Sequence, residues 1–142
     1  VVKISKQSGL GYTVSVADAT PTPRTISNDI TDFQYSLPRA VQDTTGVDKS
    51  AMERLLLLAD FTLTLNGVFN NAANNSHDVF KTVSSTSVAR AVSLAITSPA
   101  SVTSTLAGNL LFSDYQLKRD NTGKFTWTAP GSLADGAVPV WS

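Results

Sequence analysis

The sequence predicts a mainly β fold: two packed sheets in a sandwich or barrel-like arrangement, with one flanking α-helix and one long inter-strand loop. Three observations predict it. Hydrophobic residues alternate with polar or small ones in several separate windows, the period-two signature of half-buried strands. Turn-forming residues recur between those windows, where alternating β and α units would instead show long amphipathic segments. The chain has 142 residues, 42% of them hydrophobic, which suits one compact core in the usual domain size of about 100–200 residues.

Taken in order, Tyr12, Val14 and Val16 share one face of the first window, and residues 20–24, with Pro21 and Pro23, read as irregular. Phe33, Tyr35 and Leu37 form the next strand face. Residues 38–49 follow as a polar stretch with little periodicity, and structureless loops of that length in compact domains are usually functional or disordered. Ser50-Ala51-Met52-Glu53 matches a capping box and places Met52, Leu55 and Leu56 on one stripe, so a short helix is expected before Asp60. The clearest strand comes next: Phe61, Leu63, Leu65, Gly67 and Phe69 on one face, Thr62, Thr64 and Asn66 on the other.

Asn74-Asn75-Ser76 supplies caps for a helix over residues 77–83, with Val79, Phe80 and Val83 on its buried face. Val88, Val92, Leu94 and Ile96 alternate around an intruding Arg90, and residues 98–105 read as irregular. Residues 111–119 and 124–129 flank Asp120-Asn121-Thr122-Gly123, whose members tolerate the positive φ of hairpin turns. Phe125, Trp127 and Ala129 line one face of the return strand. The organisation expected is a single domain over residues 1–142: an N-terminal segment (1–27) with one strand, a core sandwich (28–129) and a C-terminal arm (130–142).

The chemistry is sparse. Eleven basic and eleven acidic residues give zero formal net charge, and the cations are scattered from Lys3 and Lys6 to Lys118, Arg119 and Lys124. Duplex-binding surfaces cluster their cations; zero net charge instead removes a long-range barrier to self-association. No cysteine is present, which excludes a disulfide framework and thiolate metal sites. No apolar run approaches the roughly 20 residues of a membrane-spanning helix, and Val1 opens no signal-peptide pattern, so the glycosylation match at Asn74-Asn75-Ser76 reads as chance.

His77 has no second His to join it in a metal site. Ser76-His77-Asp78 holds the residue types of a hydrolase triad, but adjacent side chains diverge, so a helix start is the better reading. Gly9-Leu10-Gly11 lacks the downstream glycine of a dinucleotide fingerprint. Asp32, Asp60 and Asp114 are not brought together by their spacing. Trp127, Trp141, Tyr35 and Tyr115 could stack on sugars or bases, yet Trp127 alternates with threonines as a core residue does, and Trp141 suits a subunit contact. No catalytic, cofactor or metal residue is assigned, and no enzyme is predicted.

Four blocks in order carry a resemblance. They are Asn28-Asp29-Ile30-Thr31-Asp32-Phe33; Thr45-Gly46-Val47-Asp48-Lys49-Ser50-Ala51-Met52-Glu53-Arg54-Leu55 leading into Ala59-Asp60-Phe61-Thr62-Leu63-Thr64-Leu65-Asn66-Gly67-Val68-Phe69-Asn70; Gly108-Asn109-Leu110-Leu111-Phe112-Ser113-Asp114-Tyr115; and Ala134-Asp135-Gly136-Ala137-Val138-Pro139-Val140-Trp141. From about residue 28 onward the chain resembles the major tail, or tail-tube, proteins of long-tailed, siphovirus-type bacteriophages. The resemblance implies a non-enzymatic virion protein, assembled in the host cytoplasm as hexameric rings stacked into a hollow conduit for the genome. Its partners would be other copies of itself, the tail-tip, tape-measure and terminator proteins, and DNA in transit without sequence-specific binding, with no membrane and no cofactor. Alternatives are a tail terminator, a capsid decoration subunit or, more remotely, a carbohydrate-binding β-sandwich.

On that reading the strands near residues 29–37, 60–69, 88–97 and 108–119 would form the tube wall. Arg39, Gln42, Asp43, Thr44, Thr45, Gly46 and Asp48, in the long loop, would contact the adjacent ring. A lumen through which DNA slides should avoid exposed cations. Alternation then makes Asp32, Gln34, Ser36, Thr62, Thr64, Asn66, Asp114 and Gln116 the lumen-facing candidates, with Lys118 an unwelcome charge on the same side.

Overall fold

The alternating windows are strands in the computed structural model, which describes residues 8–97 and 102–142. Along the chain come β1 (Thr13–Ala17), β2 (Pro23–Thr25), a 3-10 turn (Ser27–Asp29), β3 (Ile30–Ser36), β4 (Arg39–Asp43), β5 (Arg54–Ala59), β6 (Thr62–Val68) and α1 (Ser76–Phe80). They are followed by β7 (Arg90–Thr97), β8 (Thr103–Phe112), β9 (Gln116–Arg119), β10 (Phe125–Leu133) and β11 (Val140–Trp141). Hydrogen bonds connect β2-β1-β7-β8-β10-β6-β3 in that order, with β11 beside β8 and β9 beside β10, while β4 and β5 form a separate two-stranded sheet.

β8 and β10 meet over a short stretch, Leu110 to Phe112 against Gly131 to Leu133. The large sheet therefore folds over at this corner into two layers, β2-β1-β7-β8 and β9-β10-β6-β3. Their inward residues form one core: Val14, Val16, Val92, Leu94, Leu106 and Leu110 from one layer, and Phe61, Leu63, Leu65, Trp127 and Ala129 from the other. Away from the corner the layers are bridged by aromatics, with the Tyr12 ring edge-on to Phe33 at 4.9 Å and the Tyr12 and Tyr35 hydroxyls 3.1 Å apart. Burial raises the Tyr35 pKa above its ordinary value.

Three readings of the sequence need correction. No helix forms at Ser50-Glu53: the Glu53 N–H donates to Thr45 Oγ1 at 2.8 Å and the Thr44 N–H to the Glu53 carbonyl at 2.9 Å. That cross-strand pairing competes with the capping box, and a short run such as Leu55 to Leu58 fits either period. Consequently the expected loop of residues 38–49 is not structureless. Arg39, Gln42 and Asp43 lie in β4, which pairs with β5, and Thr44, Thr45, Gly46 and Asp48 lie in the connection at the hairpin's tip.

The four expected wall strands are not contiguous either, because β10 lies between β8 and β6. Smaller differences share a cause, since ladder partners distant in sequence override weak local signals. Pro23–Thr25 is strand, which gives two strands before residue 28 where one was expected. Residues 98–101 of the expected irregular stretch lie outside the described residues, as do Lys3 and Lys6, and strand begins at Thr103. Residues 111–119 split between β8 and β9 at Ser113 to Tyr115. β10 runs past residue 129 to Leu133, exchanging β9 for β8 as its partner around Pro130, which has no N–H to give a ladder. The helix is shorter than expected, ending at Phe80 in a series of turns.

Two local features fix the layers. An added Cβ at Gly67 would stand 2.2 Å from the Asp29 carbonyl and 2.6 Å from the Trp127 ring, so only glycine lets strand, turn and indole meet there. Between β1 and β2, Asp18 accepts from the Thr20 hydroxyl, from the Thr22 and Thr20 backbone N–H groups at 2.8 and 3.0 Å, and from Arg24 Nε at 3.1 Å. The Thr20 hydroxyl, then the Thr22 N–H, hold its carboxyl well below the ordinary range.

Gly67→Ala should destabilise the fold by about 3 kcal/mol, at the upper end for overpacking because one clash is with backbone, read as a fall in urea midpoint. For Asp18 the folded pKa lies below the unfolded one, so its contribution is complete above the ordinary 3.8 and is lost as pH falls through the depressed value. Asp18→Asn should therefore flatten the decline of the urea midpoint between about pH 5 and pH 2. Parallel wild-type and variant profiles would remove Asp18 as its source.

Candidate assembly surfaces

The eight polar residues singled out on the proposed wall strands lie together. In register, Asp32 faces Asn66, Gln34 faces Thr64 and Ser36 faces Thr62 across β3 and β6. Thr128 pairs with Asn66 on one side and Gln116 on the other, which extends the same face over β10 to β9. Side-chain hydrogen bonds cross the strands: Asn66 Nδ2 donates to Asp32 at 2.6 Å, the Thr128 hydroxyl donates to Asn66 Oδ1 at 2.8 Å, and the Ser36 and Thr62 hydroxyls are 3.0 Å apart. Asp114 precedes β9 and joins the face through Gln116 Nε2 at 2.9 Å. Thr126 lies opposite Lys118, so that cation shares the face, as alternation predicts. The result is a polar surface on which Asp32, Ser36, Thr62, Asn66, Asp114, Gln116 and Thr128 are held by hydrogen bonds to one another.

The β4–β5 hairpin is the second surface. It leaves the large sheet where β3 ends and β6 begins, tied there by the Asp60 N–H to the Pro38 carbonyl at 2.9 Å. Every residue of β4 and all but Ala59 of β5 are exposed. Val41 pairs with Leu56 and Gln42 with Leu55, so Leu55 and Leu56 point to opposite sides of the arm, and a register shift between Arg39 and Val41 leaves an extra residue in β5 at Leu57 and Leu58. Leu55 and Leu56 are 53% and 54% exposed and Leu58 is 90% exposed. Such continuous apolar runs ordinarily belong to strands covered on both faces. Single exposed apolar residues need no explanation, but a contiguous patch of this kind marks an interaction site.

Strands place the arm, and polar contacts place α1. The Asp29 carboxylate, buried beneath the sheet, accepts from Asn70 Nδ2 at 2.8 Å and from the Ser76 N–H at 3.0 Å, so a residue distant in sequence caps the helix. Arg90 occupies a core-facing position of β7 and is 2% exposed. Its guanidinium donates to the carbonyls of Val79 at 2.8 Å and Ala17 at 3.3 Å and to Thr82 Oγ1 at 3.0 Å. Burial draws its pKa down and the charge of Asp18 opposes that shift. Sequence reading marked Arg90 only as an interruption and gave Asp29 no role; a charged residue in phase with a strand's apolar face was the available signal.

The Ser76, His77 and Asp78 side chains diverge. Ser76 is buried, His77 Nδ1 lies 3.3 Å from the Tyr115 hydroxyl, and Asp78 pairs with Lys81 at 2.9 Å. Burial, helped by the Asp29 charge, pushes the Tyr115 phenol up to about 12. Among the described residues no group of three or more His, Asp or Glu side chains converges as metal ligands would, and Asp32, Asp60 and Asp114 do not bond one another. Trp127 is in the core; Trp141 is 44% exposed, its ring 6.1 Å from Tyr35.

No family model and no curated protein sequence matches the chain. Solved structures do. One is a chain of the virion of a native gene transfer agent particle, with a TM-score of 0.73 at 13% identity over 96% of this chain and 99% of that one. Another is a chain of the tail of an empty gene transfer agent particle, obtained by helical refinement with C6 symmetry; its TM-score is 0.67 at 15% identity, over 96% of this chain and 98% of that one. At such low identity the likeness is one of architecture, and it extends over nearly the whole of both chains: the sandwich with its folded-over sheet is the fold of a gene transfer agent tail subunit.

Proposed function

We propose that the protein is a structural subunit of a phage-type tail tube, assembling as hexameric rings stacked into a hollow conduit through which a genome passes. The observation that carries this reading is the shared fold over 96% of the chain with a component of a C6-symmetric tail. The exposed arm supports it, because a hairpin apolar on both sides is stable in water only when neighbouring copies cover it. In this reading residues 1–142 act as one tail-tube domain within the virion, meeting tail-tip, tape-measure and terminator proteins at the ends of the tube.

Among the described residues β3 has no strand on its outer side, and unpaired edges are either protected or used for pairing. Closure of six such layers into a continuous barrel uses them, and removes every edge of the wall. The polar face would line the lumen. It carries Asp32 and Asp114 against the single Lys118, a balance that gives DNA phosphates little to hold. The arm, with Arg39, Gln42, Asp43, Thr44, Thr45, Gly46 and Asp48, would then reach the adjacent ring.

Two measurements test the reading. Leu56→Asp with Leu58→Asp should leave the urea midpoint near the wild-type value, because both positions are exposed, yet abolish tubes in negative-stain images of concentrated protein. Tubes of normal length from that variant would defeat an assembly role for the arm. Asp32→Lys with Asp114→Lys should permit tubes while slowing passage of DNA, with the delay easing at high salt as phosphate contacts are screened. Unchanged ejection kinetics from intact tubes would mean that this face lies elsewhere.

A further inference from the structure

The arm needs a receiving surface, and the opposite end of the same molecule offers one. β6 starts beside the arm at Thr62 and ends at Val68, roughly 20 Å away at the usual rise per strand residue. There the Phe69 N–H donates to the Phe125 carbonyl at 3.0 Å. The Phe69 and Phe125 rings stack at 4.7 Å, with the His77 ring 4.8 Å from Phe69. Phe125 and Leu117 are exposed, at 36% and 44%. This aromatic cluster is continuous with the turn joining β9 to β10.

Charge separates the two ends. Around the arm's tip, Asp43, Asp48 and Glu53 outnumber Lys49 and Arg54 by one; Lys49 lies 3.8 Å from Glu53 and 4.0 Å from Asp48, and Asp43 accepts from the Thr45 N–H and hydroxyl. Around the β9–β10 turn, Lys118, Arg119 and Lys124 outnumber Asp120, whose carboxylate is already occupied by the Thr122 N–H and hydroxyl and the Lys124 N–H. Among the described residues, none of those three cations makes an ion pair. The arm's tip is therefore apolar with a slight excess of acids, and the opposite end is aromatic with a larger excess of cations. Complementary patches at opposite ends of one chain give a head-to-tail contact, which extends as an open filament when its rotation does not close into a ring.

We propose that the β4–β5 arm of one copy docks onto the β9–β10 turn and the Phe69–Phe125–His77 cluster of the next copy along the tube axis. Leucines of the arm cover the aromatic rings, and the acidic tip meets Arg119 and Lys124. The proposal rests on the tube reading and adds the receiving half of the inter-ring contact.

Charge exchange tests it. Arg119→Glu with Lys124→Glu forms one variant, Asp48→Arg with Glu53→Arg a second, and all four changes together a third. All four positions are exposed, so circular dichroism and urea midpoints should stay near wild type. Each two-site reversal should reduce tube yield by about tenfold or more, and the four-site variant should restore most of it, since like charges at an interface are strongly unfavourable. Reversed variants that polymerise like wild type, or a four-site variant as defective as its parents, would overturn the docking. The chain has no cysteine, which allows a second measurement: Val47→Cys with Asn121→Cys should give a covalent ladder on oxidation of assembled tubes. Tubes without a ladder would overturn the contact while leaving the tube reading intact. Wild-type protein that forms no tubes at high concentration would defeat both.

Discussion

The rest of the structure depends on the close approach at Gly67. Because this position of β6 lacks a side chain, the Trp127 indole and the Asp29 backbone can both lie against the strand. Trp127 then donates its Nε1–H to the Val68 carbonyl at 3.0 Å and presents its ring to Phe80 at 5.1 Å. Asp29 is held so that its carboxylate reaches Asn70 and the start of α1. One missing Cβ thus sets where the indole, the turn before β3 and the helix meet.

Arg90 completes the arrangement from the other layer. A guanidinium in a core is costly unless its donors are used, and here they engage the Val79 carbonyl, the Ala17 carbonyl and Thr82. Asp29 fixes the beginning of α1 and Arg90 its end, so five helical residues with little intrinsic stability are delivered with Val79 and Phe80 fully buried. The sandwich is therefore rigid at its centre. Outside that centre lie a polar sheet face braced by cross-strand hydrogen bonds and an arm anchored where β3 ends and β6 begins.

These surfaces differ in how they are held, and the difference fits what each would do. The polar face is built on paired strands whose inward residues are core, so it keeps its shape without a neighbour. The arm is a lone two-stranded hairpin, an element marginal in water without a packed face. In the proposed tube, such a division would let identical subunits form a ring and lock to the next.

Much of this was legible in the sequence. Period-two alternation identified the inward residues of β1, β3, β6, β7 and β10, and by the same parity put Asp32, Gln34, Ser36, Thr62, Thr64 and Asn66 on the opposite side, because the alternation of side chains in a strand is a local property. The hairpin turn at Asp120 to Gly123 followed from residues that tolerate positive φ, and Gly123 has φ 94°. What the tertiary structure decided was which strands pair and what lies between the layers. The insertion of β10 between β8 and β6, the strand state of Arg39–Asp43 and Arg54–Ala59, the cap supplied to α1 by Asp29 and the burial of Arg90 all depend on partners remote along the chain. Local sequence fixes which way a side chain points relative to its neighbours; the energy of pairing and burial is settled only when distant segments meet.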